Sequence, residues 1–300
     1  MISRRILRSS LIVLLALVGN AMGLVLDVSQ DGADGVFVGN RMPEVVDGAV
    51  TLPATLETRT FPVEAGKKYR LEILAEVEGP FVVEVNDRAH ILTLQTHRQR
   101  TTSTYEVIFQ DASGNAIPAA PVRGGSVGGF FLTNQRKPYC TVFYAPEGAV
   151  EAKVRFQANK TTTRVARLTL EEETGEETVN PNPDFRYGEL NYCGWIPARD
   201  GRLYTRPDGK TVFNAGYGGY SPPFPLQEGK NYRIATAGVG RTINIEYYSK
   251  DGKMLQKRFL IRPTPEGSET LLTPPPETAF ARIVMYGGII LESFSVFEAK

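Results

Sequence analysis

The sequence predicts an all-β protein of two tandem domains, and two observations carry that reading. The stretch Phe61-Pro62-Val63-Glu64-Ala65-Gly66-Lys67-Lys68-Tyr69-Arg70-Leu71 returns 163 residues later as Phe224-Pro225-Leu226-Gln227-Glu228-Gly229-Lys230-Asn231-Tyr232-Arg233-Ile234. Six of the eleven positions are identical and two more exchange one apolar residue for another, which marks a repeated unit. The composition is the second observation: 29 Gly, 20 Pro, 13 Tyr and 15 Phe, with no long helical pattern, describe short strands joined by turns. A length of 300 residues with 42% hydrophobic content suits two domains of ordinary size.

The first 23 residues have a separate role. Arg4, Arg5 and Arg8 precede the apolar run Leu11 to Val18, and Ala21-Met22-Gly23 supplies small residues where a signal peptidase cuts. Residues 1–23 therefore read as an export signal removed after Gly23. The apolar run is shorter than the ~20 residues of a spanning helix, so no transmembrane span is expected in the mature form. Ser3-Arg4-Arg5 partly matches a twin-arginine signal, but Leu7 and Arg8 depart from it and favour the general route. The expected location is secreted, periplasmic or in the cell envelope. Lys and Arg number 34 against 33 Asp and Glu, so no basic field is present to hold nucleic acid or an anionic membrane. In an exported protein the two cysteines, Cys140 and Cys193, either pair across the domains or remain as partly buried thiols.

Domain 1 is expected over residues 24–172. Leu24 to Val28 and Gly35 to Val38 read as short strands, and Tyr69 to Val77 alternates apolar and polar residues as a strand with one buried face does. Phe81 to Val85 and Thr104 to Phe109 continue the pattern, the latter ending at the turn Asp111-Ala112-Ser113-Gly114. The segment between Ile117 and Tyr139, rich in Gly and Pro, reads as a long surface loop. An acidic, Pro-rich connector is expected over 173–183, and domain 2 over 184–300. Domain 2 repeats the order of domain 1, with Ile243 to Tyr248 before an Asp251-Gly252 turn, then Ala281 to Met285 and Ile290 to Val296.

Asn182-Pro183-Asp184-Phe185, with Gly194-Trp195 ten residues on, resembles the start of the galactose-binding-like jelly-roll domains common among carbohydrate-binding modules. The lead-in Leu226 to Tyr232, the strand and turn Tyr247 to Gly252, the Pro-rich passage Pro274 to Met285 and the last strand Ile290 to Phe297 fit the same resemblance. It covers about residues 182–300 well and 50–172 more loosely. The resemblance implies two tandem β-sandwiches, and it speaks to fold more than to ligand. Relatives often carry Phe-Glu at the start, where the acid helps hold a structural calcium. Here Phe185 is followed by Arg186, and Glu292 alone is not a calcium site, so no cofactor and no metal are expected.

Sugars are bound by stacking on aromatic rings with a few polar groups fixing orientation. Asn214-Ala215-Gly216-Tyr217-Gly218-Gly219-Tyr220-Ser221, just before the second copy of the repeat, offers such rings, whereas the first copy has Thr55-Leu56-Glu57-Thr58-Arg59-Thr60 there. Tyr217 and Tyr220 are the leading candidates and Tyr204 and Tyr286 the secondary ones, the alternative being that these rings fill the sandwich edge. Trp195 is expected in the core. His90 and His97 lack companions for a metal site. Gly124-Gly125-Ser126-Val127-Gly128 matches a nucleophile elbow only formally, because no helix pattern follows and both histidines precede the serine. Asn159-Lys160-Thr161 is a glycosylation sequon by pattern. The expected function is a non-catalytic, exported carbohydrate-binding protein whose partner is a polysaccharide or glycoconjugate. The alternatives are a structural or adhesive envelope protein using its sandwiches for protein contacts and, third, a glycan-active enzyme or its accessory subunit.

Overall fold

A computed structural model describes residues 23–39, 42–78, 103–120, 127–131, 135–158, 162–174, 178–189, 191–197 and 201–299. Residues 1–22 of the export signal expected over 1–23, the strand expected at Phe81 to Val85, both histidines, Ser126 and the Asn159 sequon lie outside the described residues.

The first half contains β1 (Leu24–Asp27), α1 (Val28–Val36), β2 (Phe37–Val38), β3 (Val45–Val46), β4 (Ala49–Thr51), β5 (Thr55–Thr58) and β6 (Phe61–Pro62). It continues through β7 (Lys68–Glu78), β8 (Thr104–Gln110), β9 (Ala116–Ile117), β10 (Val127–Phe130), β11 (Lys137–Tyr144), β12 (Glu151–Gln157) and β13 (Thr162–Glu172). The second half contains β14 (Ile196–Pro197), β15 (Arg202–Thr205), β16 (Thr211–Asn214), β17 (Gly218–Tyr220), β18 (Phe224–Pro225) and β19 (Tyr232–Val239). It ends with β20 (Ile243–Tyr248), β21 (Met254–Ile261), β22 (Ser268–Leu272), β23 (Phe280–Tyr286) and β24 (Ile290–Glu298).

Each half is a sandwich of two antiparallel sheets. The first pairs β11-β7-β13-β4-β3 with β10-β8-β12-β5-β2, and the second pairs β15-β16-β24-β19-β22 with β14-β17-β23-β20-β21. The chain passes from β7 in one sheet to β8 in the other, then back to β11, across to β12 and back to β13, which is the winding of a jelly roll. The fold is therefore all-β, with two tandem jelly-roll sandwiches. Alternation supplies the cores: on β7, Tyr69, Leu71, Ile73, Ala75 and Val77 are all buried. One core gathers around Phe109, Tyr139 and Phe156, and the other around Phe185, Trp195, Phe213 and Phe294. Each such ring or aliphatic side chain stabilises its sandwich by about 1.5–3 kcal/mol on burial.

The repeat has a common mechanical basis. The Tyr69 hydroxyl accepts the Glu64 N–H at 2.9 Å, and the Tyr232 hydroxyl accepts the Gln227 N–H at 2.8 Å. The turn between each pair contains a glycine in the left-handed region, Gly66 at φ +83° and Gly229 at φ +78°. Lys67 then reaches Glu172 at 3.1 Å and Lys230 reaches Glu298 at 2.9 Å, so each copy ties its lead-in to the last strand of its own sandwich.

Three segments differ from the sequence expectation. Gly35 and Val36 belong to α1, which is kinked at Gly32, because the Asp27 carboxylate accepts the Ser29 N–H at 2.9 Å and starts a helix that buries Val28, Ala33 and Val36. The stretch expected as a surface loop contributes β10 and a fully buried Phe131, whose ring meets Tyr139 edge-on at 5.0 Å. Its glycines are there because β10 lies against Tyr105, whose hydroxyl would be 2.6 Å from a Cβ on Gly129. The last part of the connecting passage is also packed. Asn180 donates to the Phe294 carbonyl at 2.6 Å and accepts the Val296 N–H at 2.7 Å, running beside β24 as an extra strand would. No helix among the described residues is long and apolar enough to cross a membrane.

Candidate functional site

The sheet β14-β17-β23-β20-β21 turns Ile243, Ile245, Tyr247, Ala281, Ile283 and Met285 into the second core, so the residues between them face outward. Cross-strand pairing places Tyr220, Val284, Asn244 and Phe259 in one row over four strands. The neighbouring row holds Arg282, Glu246 and Lys257. Tyr286 stands opposite Gly218, which has no side chain to cover its ring, and diagonal to Tyr220.

A charged relay links the two tyrosines. Glu246 Oε2 accepts from the Tyr248 hydroxyl at 2.6 Å and from Arg282 Nε at 2.8 Å, while Oε1 takes Lys257 Nζ at 3.1 Å. The Arg282 guanidinium lies over the Tyr220 ring at 4.7 Å and over Tyr248 at 5.4 Å. Lys257 donates to the Tyr286 hydroxyl and sits 4.9 Å from that ring's centroid, so Tyr286 leans across β20 to meet it. The side chains of Glu246 and Arg282 are only 8% and 13% exposed, which makes this a largely desolvated ion pair on the outside of a sheet. Burial pushes the Glu246 carboxyl up, but the donors on Tyr248, Arg282 and Lys257 together hold it below the usual carboxylate range. Burial, and then donation to Glu246, pushes the Tyr248 hydroxyl well up. The outcome is a fixed, charge-satisfied floor beneath two half-exposed rings, with Tyr220 at 38% and Tyr286 at 49% exposure.

The four candidate tyrosines do not converge on one place. Tyr220 and Tyr286 share this face. Tyr217 is 74% exposed in the turn before β17, where its carbonyl accepts the Gly287 N–H. Tyr204 is on β15, in the opposite sheet, facing outward because its neighbour Leu203 is buried, with Arg202 over its ring at 5.1 Å. Trp195 is buried against Phe185 and Phe213 as expected. Glu292 is paired with Arg206 at 2.8 Å and Arg186 with Asp184 at 2.8 Å. Among the described residues no three His, Cys, Asp or Glu side chains group as metal ligands would.

Phe259, exposed at 61%, is the residue of this face that sequence reasoning missed. Its strand β21 is a sheet edge whose pairing with β20 shifts register twice, and these shifts erase the two-residue alternation that would have marked an outward aromatic. A cavity of about 350 Å³ lies elsewhere, between the sandwiches, lined by Glu106, Arg155 and Gln157 on one side and by Tyr192, Cys193 and Trp195 on the other.

No family model matches the chain, and no curated protein matches it. Among solved structures, the tandem CBM22-1–CBM22-2 domain of Paenibacillus barcinonensis Xyn10C superposes over 95% of this chain and 99% of its own, at 10% identity and a TM-score of 0.31. The tandem CBM51 modules of Sp3GH98, the family 98 glycoside hydrolase from Streptococcus pneumoniae SP3-BS71, cover 84% of this chain and 83% of their own, at 8% identity and a TM-score of 0.21. An allantoicase covers 83% of this chain and 79% of its own, at 7% identity and a TM-score of 0.29. The fold stated above rests on this chain's own strand pairing.

Proposed function

We propose that this is an exported carbohydrate-binding protein and that the outer face of β17, β23, β20 and β21 is its glycan site. The observation that carries the reading is the pairing of Tyr220 and Tyr286 as half-exposed rings on adjacent strands over the Arg282–Glu246–Lys257 relay. Ring faces suit the apolar face of a pyranose, the buried Arg282–Glu246 pair holds those rings so that they need not be ordered on binding, and Lys257, with a side chain 36% exposed, offers a donor to the sugar's hydroxyls. Phe259, three strands from Tyr220 and so about 14 Å away at ~4.8 Å per strand, extends the face for a longer chain. A site of ring faces over ion-paired side chains on the outside of a sheet fits retention of a glycan. Tyr204, on the opposite sheet, is not part of the proposed site, and Tyr217, whose carbonyl accepts the Gly287 N–H beside Tyr286, stands at its rim.

The test is a glycan array followed by titration of retained sugars with the mature chain. A Tyr220→Ala, Tyr286→Ala double variant should weaken binding at least tenfold, since each ring is worth about 1 kcal/mol. Tyr204→Ala should leave binding unchanged. No retained glycan, or equal retention by the double variant, defeats the reading, and capture of a protein ligand by this face would favour the adhesive alternative. Export is tested separately: in the secreting host the mature chain should begin at Leu24 by intact mass.

A further inference from the structure

Cys140 and Cys193 lie in different sandwiches, yet they share one small apolar cluster with Val142 and Tyr187. On β11 the first core takes Tyr139 and Phe143, so Cys140 and Val142 point away from it. They are nonetheless buried, at 5% and 4% exposure, because the passage carrying Tyr187 and Cys193 lies across them. That passage is pinned in place. Asn191 Oδ1 accepts the Cys140 N–H at 2.7 Å, Asn191 Nδ2 donates to the Tyr187 carbonyl at 2.5 Å, and the Tyr187 hydroxyl donates to Glu173 at 3.0 Å. Cys193 is held in the left-handed region at φ +47°, and its thiol donates to the Cys140 carbonyl at 3.5 Å.

We propose that Cys140 and Cys193 form a disulfide that fastens one sandwich to the other. Cys193 Sγ already lies 3.5 Å from the Cys140 carbonyl oxygen within one buried cluster, and both residues line the 350 Å³ cavity between the sandwiches. One thiolate attacks a sulfur of oxidised glutathione and expels one reduced glutathione, and the second thiol then attacks the mixed disulfide and expels the other. Two protein S–H bonds and the donor's S–S bond are exchanged for one protein S–S bond and two glutathione thiols. Burial, and then contact with the Cys140 side chain, pushes the Cys193 thiol up, which suits a slow structural bond better than a catalytic one. The bond would close a 53-residue loop that contains the connector. The inference is independent of the glycan reading.

The test uses the full chain equilibrated with excess oxidised over reduced glutathione, alkylated under denaturing conditions and digested without reductant. The expected product is a single peptide pair joining Cys140 and Cys193, lighter than the two peptides by two hydrogens and separated by reduction. The oxidised wild type should unfold at higher urea than the reduced wild type, a comparison that needs no variant. Cys140→Ser should instead leave Cys193 as a glutathione adduct or an alkylated thiol. Two alkylated thiols in the wild type, or disulfide-linked dimers in place of the intramolecular pair, would overturn the proposal.

Discussion

The outer faces of the two matching sheets, β10-β8-β12-β5 in the first sandwich and β20-β23-β17 with its neighbours in the second, have one scaffold and opposite chemistry. Phe61 pairs with Ala152 as Phe224 pairs with Ala281, so β12 answers to β23, and the 163-residue offset that relates Phe61 to Phe224 relates Glu57 to Tyr220. On the first face Glu57 takes Lys153 and Arg155, each at 2.7 Å, and these side chains meet as partly exposed ion pairs. On the second, the acid has moved one strand beyond β23 to Glu246, the cation Arg282 is sandwiched between Tyr220 and Tyr248, and the rings cover the charges. The difference is where the acid sits. An acid at the Tyr220 position satisfies the neighbouring cations at the surface, whereas an acid under the rings leaves the surface aromatic.

That contrast can be broken most decisively by removing the two acids. Glu246→Ala leaves Arg282 and Lys257 without their shared partner in a poorly solvated place, and should cost about 3 kcal/mol in the urea transition of the second sandwich. Glu57→Ala, at a side chain 27% exposed, should cost less than about 1 kcal/mol in the first. Equal costs would mean that the two faces do not differ in kind.

A smaller effect tests the shared scaffold. Tyr69→Phe and Tyr232→Phe each remove the acceptor for one turn N–H, and each should cost about 1 kcal/mol, in its own sandwich and by the same amount. Unequal costs would weaken the equivalence of the copies.

The smallest of the three is acid dependence. The folded Glu246 carboxyl is held below its ordinary value of 4.5, so its stabilisation is complete above that pH and is lost as pH falls through the lower folded value. Glu57 is lowered as well, with burial opposed by bonds from Lys153 and Arg155, so acid alone weakens both sandwiches. Glu246→Gln should flatten the acid limb of the second transition and leave the first unchanged, as followed by urea midpoints between about pH 5 and pH 3.

Much of the architecture was legible in the residues because it rests on local rules. The repeat exposed the tandem, the alternation over Tyr69 to Val77 named a buried face, and the Gly194-Trp195 pair pointed to a core ring that is now buried at 2%. Local rules failed where tertiary contact reassigns a segment. Gly35 and Val36 became helical through a side-chain cap, and Phe131 was drawn inward by Tyr105, Tyr139 and Phe156 from a stretch whose glycines suggested a loop. The proposed site was half legible. An aromatic cluster before the second repeat stood out, but Tyr217 and Tyr220 lie in a turn and on a strand respectively, and the ring that joins Tyr220 on its face, Tyr286, lies 66 residues further along the chain.

By itself the sequence determined the class of fold, the duplication and the turn chemistry of Gly66 and Gly229, because these depend on spacing, period and backbone freedom within a few residues. Only the tertiary structure decided that Tyr220, Tyr286 and Phe259 share a face, that Glu246 lies beneath it bound to three donors, and that Cys140 meets Cys193. Those are consequences of strand register and of how one sandwich rests on the other, and a one-residue shift in register would send each of the sheet residues to the opposite side.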